Sequence, residues 1–226
     1  MNWLAELVAP LNRVLFDLGN DAVSYAEILG FVTGAACVWL TVRNRISNFP
    51  VGIANSAFFL VLFLAARLYA DAGLQVVYIA LGFIGWWQWL YGGAAHSARR
   101  IERATRSSLA ICVLFIAVAT WGLTELLRAV DDVAPFWDAL TTALSLAAQY
   151  LLNVKKIETW FFWIAADIIY IPLYGTKRLD LTAIVYVLFL LMCLRGLVEW
   201  QRTRRAEAAS GSLVLPATLD VVADLA

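Results

Sequence analysis

The sequence predicts an all-α integral membrane protein with seven transmembrane helices in a 3+1+3 arrangement, in which two parallel repeats flank a linker helix. Three observations favour this fold class. Hydrophobic residues make up 62% of the 226 residues and charged residues only 15%, below the charged fraction of typical soluble domains. The apolar residues fall in long runs rather than in narrow stripes. The chain also aligns with itself when position 44 is placed on position 155.

Seven hydrophobic segments approach the length of a membrane span, at roughly 27–43, 51–69, 73–93, 107–127, 136–153, 159–175 and 179–199. They make up a transporter-sized helical domain at 23–201. The preceding segment, 1–22, has apolar residues at helical spacing that predict a short amphipathic interfacial helix bent or capped near Pro10: Trp3, Leu4, Leu7, Leu11, Val14, Leu15 and Leu18. Residues 202–226 begin RTRRAEAASGS and are predicted to form a soluble, poorly ordered cytoplasmic tail.

The distribution of basic residues predicts the orientation, because loops rich in Lys and Arg stay in the cytoplasm. With seven spans, one side holds the loops after the first, third and fifth spans together with the C-terminus, and it carries eleven Lys and Arg residues. The opposite side carries five. We therefore expect a multi-pass protein surrounded by membrane lipid, with the N-terminus outside and the C-terminus in the cytoplasm.

An internal repeat is the third observation. Segments 44–69 and 155–180 align without a gap, and the same shift gives matched pairs that include Ile46 with Ile157, Ile53 with Ile164, Arg67 with Arg178, Leu68 with Leu179, Gly85 with Gly196 and Trp89 with Trp200. Shared apolar composition is an alternative explanation, but the coincident loop lengths favour a true repeat. Repeat one then covers 26–93, the linker helix 107–127 and repeat two 136–201. The linker supplies the extra crossing that two parallel three-helix units need.

Asp167 is the main candidate for a functional residue, because an acid in a membrane span costs about 2.5–3.5 kcal/mol on insertion scales and is usually retained for function. A purely structural hydrogen bond to neighbouring helices is the alternative. Trp160, Trp163, Tyr170 and Tyr174 share one helical face with this acid. The sequence therefore predicts a polar site flanked by aromatic rings.

Polar and aromatic side chains on other spans are candidates to complete this site. The fifth span carries a stripe of Thr142, Ser145, Gln149 and Asn153. The third span carries Gln75, Tyr78, Gly82, Trp86 and Trp89 on roughly one face, with Gln88 adjacent, and the second span carries Asn55. For the tryptophans, an interfacial belt at the membrane boundary remains an open alternative.

These groups predict a cavity for a flat, polar and cationic small molecule. Aromatic faces attract a delocalised cation, a carboxylate offsets its charge, and Asn or Gln side chains recognise amide or hydroxyl groups. A net charge of zero gives no indication of a nucleic-acid partner. Cys37, Cys112 and Cys193 lie in hydrophobic runs and are interpreted as small apolar side chains, so no metal or cofactor is indicated.

Two stretches, GFIGWWQW at 82–89 and KKIETWFFWIAADIIYIPLYGTKRLDLTAIVY at 155–186, resemble the PnuC family of bacterial nicotinamide riboside transporters. The similarity extends over roughly 26–201. It implies seven helices in a 3+1+3 arrangement similar to SWEET sugar transporters, a homotrimer in the bacterial inner membrane, and passive uptake of nicotinamide riboside for NAD synthesis. Thr159 and Phe49 stand where many members have Asn and Trp. Because related members carry thiamine or riboflavin, uptake of a cationic vitamin such as thiamine stays open as an alternative.

The residue inventory argues against other classes of protein. The single histidine, His96, lies in a basic loop, and only one acid lies deep in a span, so paired catalytic groups are missing and no enzyme is expected. A proton-coupled carrier would need a chain of ionisable groups, whereas Asp167 stands alone. Facilitated diffusion is therefore the expected mode of transport.

Overall fold

Seven α-helices lie between residues 25 and 214 of the described part of the chain, as the hydrophobic segments predict. The computed structural model describes residues 6, 8–18, 21–131, 133–176 and 180–214. In that part of the chain the helices are α1 (Tyr25–Val42), α2 (Asn48–Ala65), α3 (Tyr69–Tyr91), α4 (Arg106–Ala129), α5 (Pro135–Asn153), α6 (Thr159–Thr176) and α7 (Asp180–Val214). A short 3-10 turn lies at Ala94–His96.

Local sequence explains where several helices begin. Ser24 caps α1 in a reciprocal capping box: its hydroxyl accepts from the Glu27 N–H at 3.2 Å, and the Glu27 carboxylate accepts from the Ser24 N–H at 2.8 Å. Thr105 caps α4 by accepting from the Ser108 N–H. Pro135 begins α5, where its missing N–H costs no helical hydrogen bond.

Four segments within these helices are long and apolar enough to cross a membrane by length and composition: Tyr25–Val42, Asn48–Ala65, Arg106–Ala129 and Asp180–Ala209. They belong to α1, α2, α4 and α7. The other three helices, α3, α5 and α6, carry most of the polar candidates, including Asp167 on α6.

The N-terminal segment differs from the prediction. Glu6 and Val8 are helical, but Val14–Leu18 form strand β1, which pairs antiparallel with strand β2 at Asp21–Ser24, so the helix predicted beyond Pro10 is wrong. The sequence explains the difference: β1 is rich in branched and aromatic side chains, and the intervening residues 19–20 read Gly-Asn, a dipeptide favoured in hairpin loops. Trp3, Leu4 and Leu7 lie outside the described residues.

The C-terminal tail also differs from the prediction. Helix α7 continues to Val214, so residues 202–214 are helical rather than poorly ordered. Alanine, arginine and glutamate dominate the stretch after Trp200, and all three are strong helix formers. The low hydrophobicity of this stretch is typical of a disordered tail, but here the stretch is a polar continuation of helix α7. Residues 215–226 lie outside the described part of the chain.

Matched positions of the two aligned segments have similar backbone features. Helices α2 and α6 begin at Asn48 and Thr159, which are matched positions. The loops that precede them contain matching hydrogen bonds, Asn44 N–H to Thr41 O and Lys155 N–H to Leu152 O, both 2.9 Å. Asn44 and Lys155 also share a φ of 52°, in the left-handed region. The two loops are therefore the same structural unit.

Helix packing brings the halves of the chain together at two places. Within each half, α2 packs on α3 and α6 packs on α7. Between the halves, α1 packs on α7 and α3 packs on α5. Helix α4 packs chiefly against α5 and exposes a wide apolar face, with Trp121 71% exposed and Ile111 66% exposed. The polar helices α3, α5 and α6 thus lie within the helix bundle, and α4 lies at its edge.

One end of the molecule collects the predicted cytoplasmic loops, and we call it the basic end. The loop after α3 reaches the loop after α5 through a short parallel bridge between Glu102 and Lys156. The Lys156 ammonium pairs with the Glu102 carboxylate at 2.6 Å. The Glu158 carboxylate accepts from the Ala104 N–H at 2.7 Å. These contacts tie residues 99–104 to the start of α6.

Candidate functional site

Asp167 lies buried between α6 and α7. It is 3% exposed, and its Oδ2 atom has no hydrogen-bond partner within the described residues. The thiol of Cys193 on α7 lies within hydrogen-bonding reach of the carboxyl group. A buried carboxyl oxygen without a partner is uncommon and calls for a functional explanation, because desolvating it costs free energy. This oxygen is free to accept a hydrogen bond or to face a cation.

A group of three tyrosines adjoins Asp167 and is called the tyrosine group: Tyr170 and Tyr174 on α6 and Tyr186 on α7. The ring centroids of Tyr170 and Tyr186 are 4.5 Å apart, those of Tyr174 and Tyr186 are 5.2 Å apart, and those of Tyr170 and Tyr174 are 5.5 Å apart. Phe189, one turn along α7, meets Tyr186 edge-on at 5.7 Å. The group presents flat π surfaces next to the acid.

Hydroxyl groups connect the tyrosine group to α5 and α3. The Tyr170 hydroxyl lies within hydrogen-bonding reach of Thr141 and Ser145 on α5. Tyr78 on α3 also reaches Ser145. Thr141 donates its own proton to the Trp137 carbonyl at 2.9 Å, which leaves its oxygen available as an acceptor. Four helices, α3, α5, α6 and α7, therefore converge on one polar region.

Two further acids lie at the end of this region opposite the basic end. Asp71 is in the first turn of α3 and Asp138 is in the first turn of α5. Both lie close enough to the Tyr174 hydroxyl for their charges to act on it. The polar region therefore has carboxyl groups at this end as well as at Asp167.

A packed tryptophan cluster closes the region toward the basic end. Trp89, Trp160 and Trp200 are at most 2% exposed and pack with Phe49. Trp200 meets Trp160 at 5.4 Å and 87°, and Trp89 meets Phe49 at 5.0 Å and 88°. Because these rings are covered by protein, the cluster is a core that separates the tyrosine group from the basic loops.

Two glycines make the tryptophan cluster possible. A Cβ atom at Gly196 would lie 2.5 Å from the Trp160 ring, and one at Gly85 would lie 2.5 Å from the Phe49 ring. Such distances are too short for any side chain. The two Gly-x-x-x-Trp matches of the repeat, 85–89 and 196–200, therefore mark places where a ring packs directly on a helix backbone.

The tryptophans also exchange hydrogen bonds between the halves. The Trp89 indole N–H donates to the Leu152 carbonyl at 2.9 Å, and the Trp200 indole N–H donates to the Thr41 carbonyl at 3.0 Å. The two donors are matched positions of the repeat, and so are the two acceptors. Each half thus binds the end of the first helix of the other half by the same contact. The Trp160 indole N–H is buried without a partner within the described residues.

The predicted amide residues lie at three different places in the fold and do not share one site. Asn153 donates to the Leu81 carbonyl at 2.8 Å and accepts from Gln149 at 3.0 Å, which fixes both side chains at the α3–α5 contact. Asn55 donates to the Gly30 carbonyl and to Thr33, between α1 and α2. Gln88 accepts from the Arg99 guanidinium at 2.8 Å, at the basic end.

The structure therefore brings together Asp167, Tyr170 and Tyr78 of the predicted site residues. Trp86 and Trp163 are partly buried and pack against the tryptophan cluster. Trp89 and Trp160 lie within that cluster, with their ring faces covered. Asn55 and Gln88 have partners elsewhere. The assignment of these side chains to a substrate remains a prediction.

Sequence reasoning missed three side chains of the polar region: Thr141, Tyr186 and Cys193. Tyr186, Phe189 and Cys193 lie at i, i+3 and i+7 on α7, a spacing that places them on one face. This spacing is readable in the sequence, but the face carries only rings and a thiol and resembles ordinary core. The polar stripe predicted on α5 begins one residue too late. It includes Thr142, whereas the structure places Thr141 in the polar region.

A multi-pass helical membrane protein with a buried acid and aromatic rings between its helices has the architecture of a small-molecule transporter. The chain matches the family model described as nicotinamide mononucleotide transporter over residues 24–202, and it belongs to that family. It is a transporter and not an enzyme.

Curated relatives include the nicotinamide riboside transporter PnuC of Escherichia coli, 25% identical over 213 residues that cover 83% of this chain and 89% of the relative. The riboflavin/roseoflavin transporter RibM of Streptomyces davaonensis is 28% identical, with 91% of this chain and 95% of the relative covered. The crystal structure of the vitamin B3 transporter PnuC is similar with a TM-score of 0.64 at 23% identity, covering 80% of this chain and 82% of that chain. The structural similarity supports the fold.

Proposed function

We propose that the protein takes up nicotinamide riboside by facilitated diffusion and so supplies NAD synthesis. The observation that carries the proposal is the buried Asp167 carboxyl with an unpartnered oxygen beside three stacked tyrosine rings. Nicotinamide riboside combines a flat cationic pyridinium ring with a carboxamide and a ribose. Relatives named as nicotinamide riboside transporters include those of Escherichia coli and Neisseria mucosa.

Each part of the proposed ligand has a matching group. Asp167 offsets the positive charge of the ring, either directly or through a hydrogen bond to the carboxamide N–H groups. The rings of the tyrosine group supply π faces for a delocalised cation, an interaction worth up to about 2 kcal/mol when desolvated. Ser145 and the Tyr78 and Tyr170 hydroxyls supply donors and acceptors for ribose.

The proposed transport mechanism uses a 3+1+3, SWEET-like arrangement with α1–α3 and α5–α7 as the repeats and α4 as the linker. The equal shift of the helix starts and of the loop hydrogen bonds supports it. In such an arrangement the two repeats move against each other around a central site. Since Asp167 is the one deep acid among the described spans, passive movement is the simpler mechanism.

We further propose that the protein resides in the bacterial inner membrane as a homotrimer, with the N-terminus outside and the C-terminus in the cytoplasm. The excess of Lys and Arg at the basic end supports this orientation. The trimer follows from the family resemblance. A reporter fused to the C-terminus is expected to be active only in the cytoplasm.

The similarity to a riboflavin transporter supports a second candidate substrate. The relative is 28% identical over 91% of this chain, and the tyrosine group would suit a flavin ring as well as a pyridinium. Thiamine, a cationic aromatic vitamin, fits the acid and rings in the same way as nicotinamide riboside. Charge distinguishes these cations from the neutral flavin, because only a cation gains from Asp167.

Proteoliposomes containing the purified protein provide the test. Labelled nicotinamide riboside is expected to equilibrate across the membrane without a proton or sodium gradient, and unlabelled thiamine and riboflavin serve as competitors. Accumulation above the external concentration that an uncoupler abolishes would refute passive transport. Exclusion of nicotinamide riboside together with passage of riboflavin would reassign the substrate.

A further inference from the structure

A basic cleft lies at the basic end, separated from the tyrosine group by the tryptophan cluster. Its volume is about 110 Å³, several times that of one water molecule. It is lined by residues of three elements: Arg103 from the loop after α3, Ile157 and Phe161 from the start of α6, and Gln201, Arg204 and Arg205 from the extension of α7. The cleft exists because α7 continues as a helix beyond Trp200.

The charges of the cleft are not balanced by the acid that lies at its edge. Three of the six lining residues are arginines, which stay protonated at any physiological pH. Glu158 is the neighbouring carboxylate, and it already accepts from the Ala104 N–H at 2.7 Å and pairs with Arg103 at 3.5 Å. Arg204 and Arg205 therefore leave an excess of positive charge in the cleft.

Arg204 provides a second, independent indication of a ligand. Its Nε atom is buried and has no hydrogen-bond partner within the described residues. A buried guanidinium donor without an acceptor is costly, and native proteins normally satisfy it with protein, water or a bound anion. Guanidinium groups match the geometry of phosphate oxygens through paired N–H donors. The missing acceptor is thus of the kind that a phosphate oxygen provides.

We propose that the basic cleft binds a phosphate group, and that an anionic phospholipid headgroup is its main source. Phe161 on the cleft wall is 49% exposed and belongs to the first turn of a membrane helix, so apolar surface for an acyl chain adjoins the arginines. Basic pockets beside transmembrane helices at the cytoplasmic boundary suit anionic headgroups. A soluble phosphate ester offers the same oxygens without needing the apolar wall.

The test compares the double variant Arg204→Gln/Arg205→Gln with Arg202→Gln, a matched control on the same helix whose side chain is exposed and does not line the cleft. Native mass spectrometry of the detergent-purified full chain counts lipids retained after titration with phosphatidylglycerol or with neutral phosphatidylcholine. Thermal unfolding with inorganic phosphate, against chloride at equal ionic strength, tests the soluble source. Neither assay depends on transport activity.

We expect wild type and Arg202→Gln to retain phosphatidylglycerol. The double variant is expected to bind it with an affinity at least about tenfold lower. Stabilisation by inorganic phosphate that the double variant loses, with no preference for phosphatidylglycerol, would keep the phosphate site and assign it to soluble esters. The proposal is overturned if wild type shows neither preference, or if Arg202→Gln weakens binding as much as the double variant.

Discussion

Helices α2 and α6 begin at matched positions and have similarly stacked rings, but the matched residues differ in chemistry. On α6, Tyr170 and Tyr174 stack at 5.5 Å and 24°; on α2, their matched residues Phe59 and Phe63 stack at 5.7 Å and 21°. Going from the first half to the second, the matched residues are Gly30 and Thr141, Gly34 and Ser145, Ser56 and Asp167, Phe59 and Tyr170, Phe63 and Tyr174, and Gly82 and Cys193. At most of these positions the second half adds an oxygen or sulfur atom that the first half lacks.

Residues at matched positions can therefore have similar backbone geometry and still differ in chemistry. In the first half, Phe59 packs directly on the backbone of Gly30, where a Cβ atom would lie within 2.2 Å of its ring. In the second half, Thr141 stands at the matching position and reaches the Tyr170 hydroxyl. The matched helix contact is therefore apolar between α1 and α2 and polar between α5 and α6.

The largest effect is expected from the acid. Asp167→Asn keeps the shape and removes the charge, and the loss of one charge-assisted contact of about 1.5–3 kcal/mol should weaken binding of nicotinamide riboside roughly ten- to a hundredfold. The matched control is Ser56→Ala, which should bind as wild type does. Calorimetry on monodisperse protein measures both. Equal affinity of Asp167→Asn and wild type would remove the acid from the site.

The second effect concerns packing, in which the halves should behave alike. Gly196→Ala and Gly85→Ala each force a methyl group against a ring, and overpacking of this kind costs about 1–3 kcal/mol. Gly122→Ala is the control, because its Cβ atom would meet nothing within 4 Å. Thermal unfolding in detergent should show lower melting temperatures for the first two variants only. A stable Gly196→Ala would contradict the close approach of Trp160.

The exchanged indole hydrogen bonds should contribute equally to stability. Trp89→Phe and Trp200→Phe each remove one N–H donor, while the Leu152 and Thr41 carbonyls keep their backbone N–H partners, so we expect each variant to lose about 0.5–1.5 kcal/mol from the hydrogen bond. The measurement is the shift of the melting temperature for the single variants. If one replacement were neutral while the other destabilised strongly, the halves would not be equivalent at this contact.

A smaller effect is expected from a hydroxyl of the tyrosine group. Tyr170→Phe introduces the residue type of the matched position, Phe59. It also removes the hydroxyl that reaches Thr141 and Ser145. A neutral hydrogen bond contributes about 0.5–1.5 kcal/mol, so affinity for nicotinamide riboside should fall by a factor of roughly two to ten. Wild-type affinity with an unchanged melting temperature would place this hydroxyl outside the site.

A different kind of effect is a pH dependence expected for the loop before α6 and not for the loop before α2, because Asn44 stands at the position that matches Lys155. Burial lowers the pKa of Lys155 to about 8, although the charge of Glu207 acts in the opposite direction. Because the unfolded chain then binds more protons between about pH 8 and the ordinary lysine pKa, stability should rise with pH across this window and level off above it. Lys155→Asn, which copies Asn44 of the first half, should flatten this rise. Melting temperatures measured across the window decide the matter.

Hydropathy predicts the helices well because membrane spans are defined by length and apolar content. The internal repeat is readable for the same reason, since matching loops separate matching spans. The β-hairpin at 14–24 and the helical stretch after residue 201 were not predicted, because neither depends on hydropathy. A periodic apolar pattern fits both a helix and a strand, and a polar helix has the composition of a disordered tail.

The candidate site was predicted in part. Asp167 was identified from the cost of an acid at that depth, and Tyr170 followed from helical spacing. Trp89 and Trp160 share a face with polar residues in the sequence, yet the structure covers their rings with protein. Helical spacing fixes which residues share a face but not which neighbouring helix that face meets. That information depends on the contacts of α3 with α5 and of α1 with α7.

The exchanged indole bonds have a consequence for how such a chain could arise. Trp89 depends on a carbonyl of the second half, and Trp200 depends on a carbonyl of the first. Because the two contacts are equivalent, a homodimer of two copies of a single three-helix unit would form both of them across its two-fold axis. Duplication and fusion of one ancestral gene would preserve both bonds at once, while leaving each copy free to diverge at the positions that now hold Ser56 and Asp167.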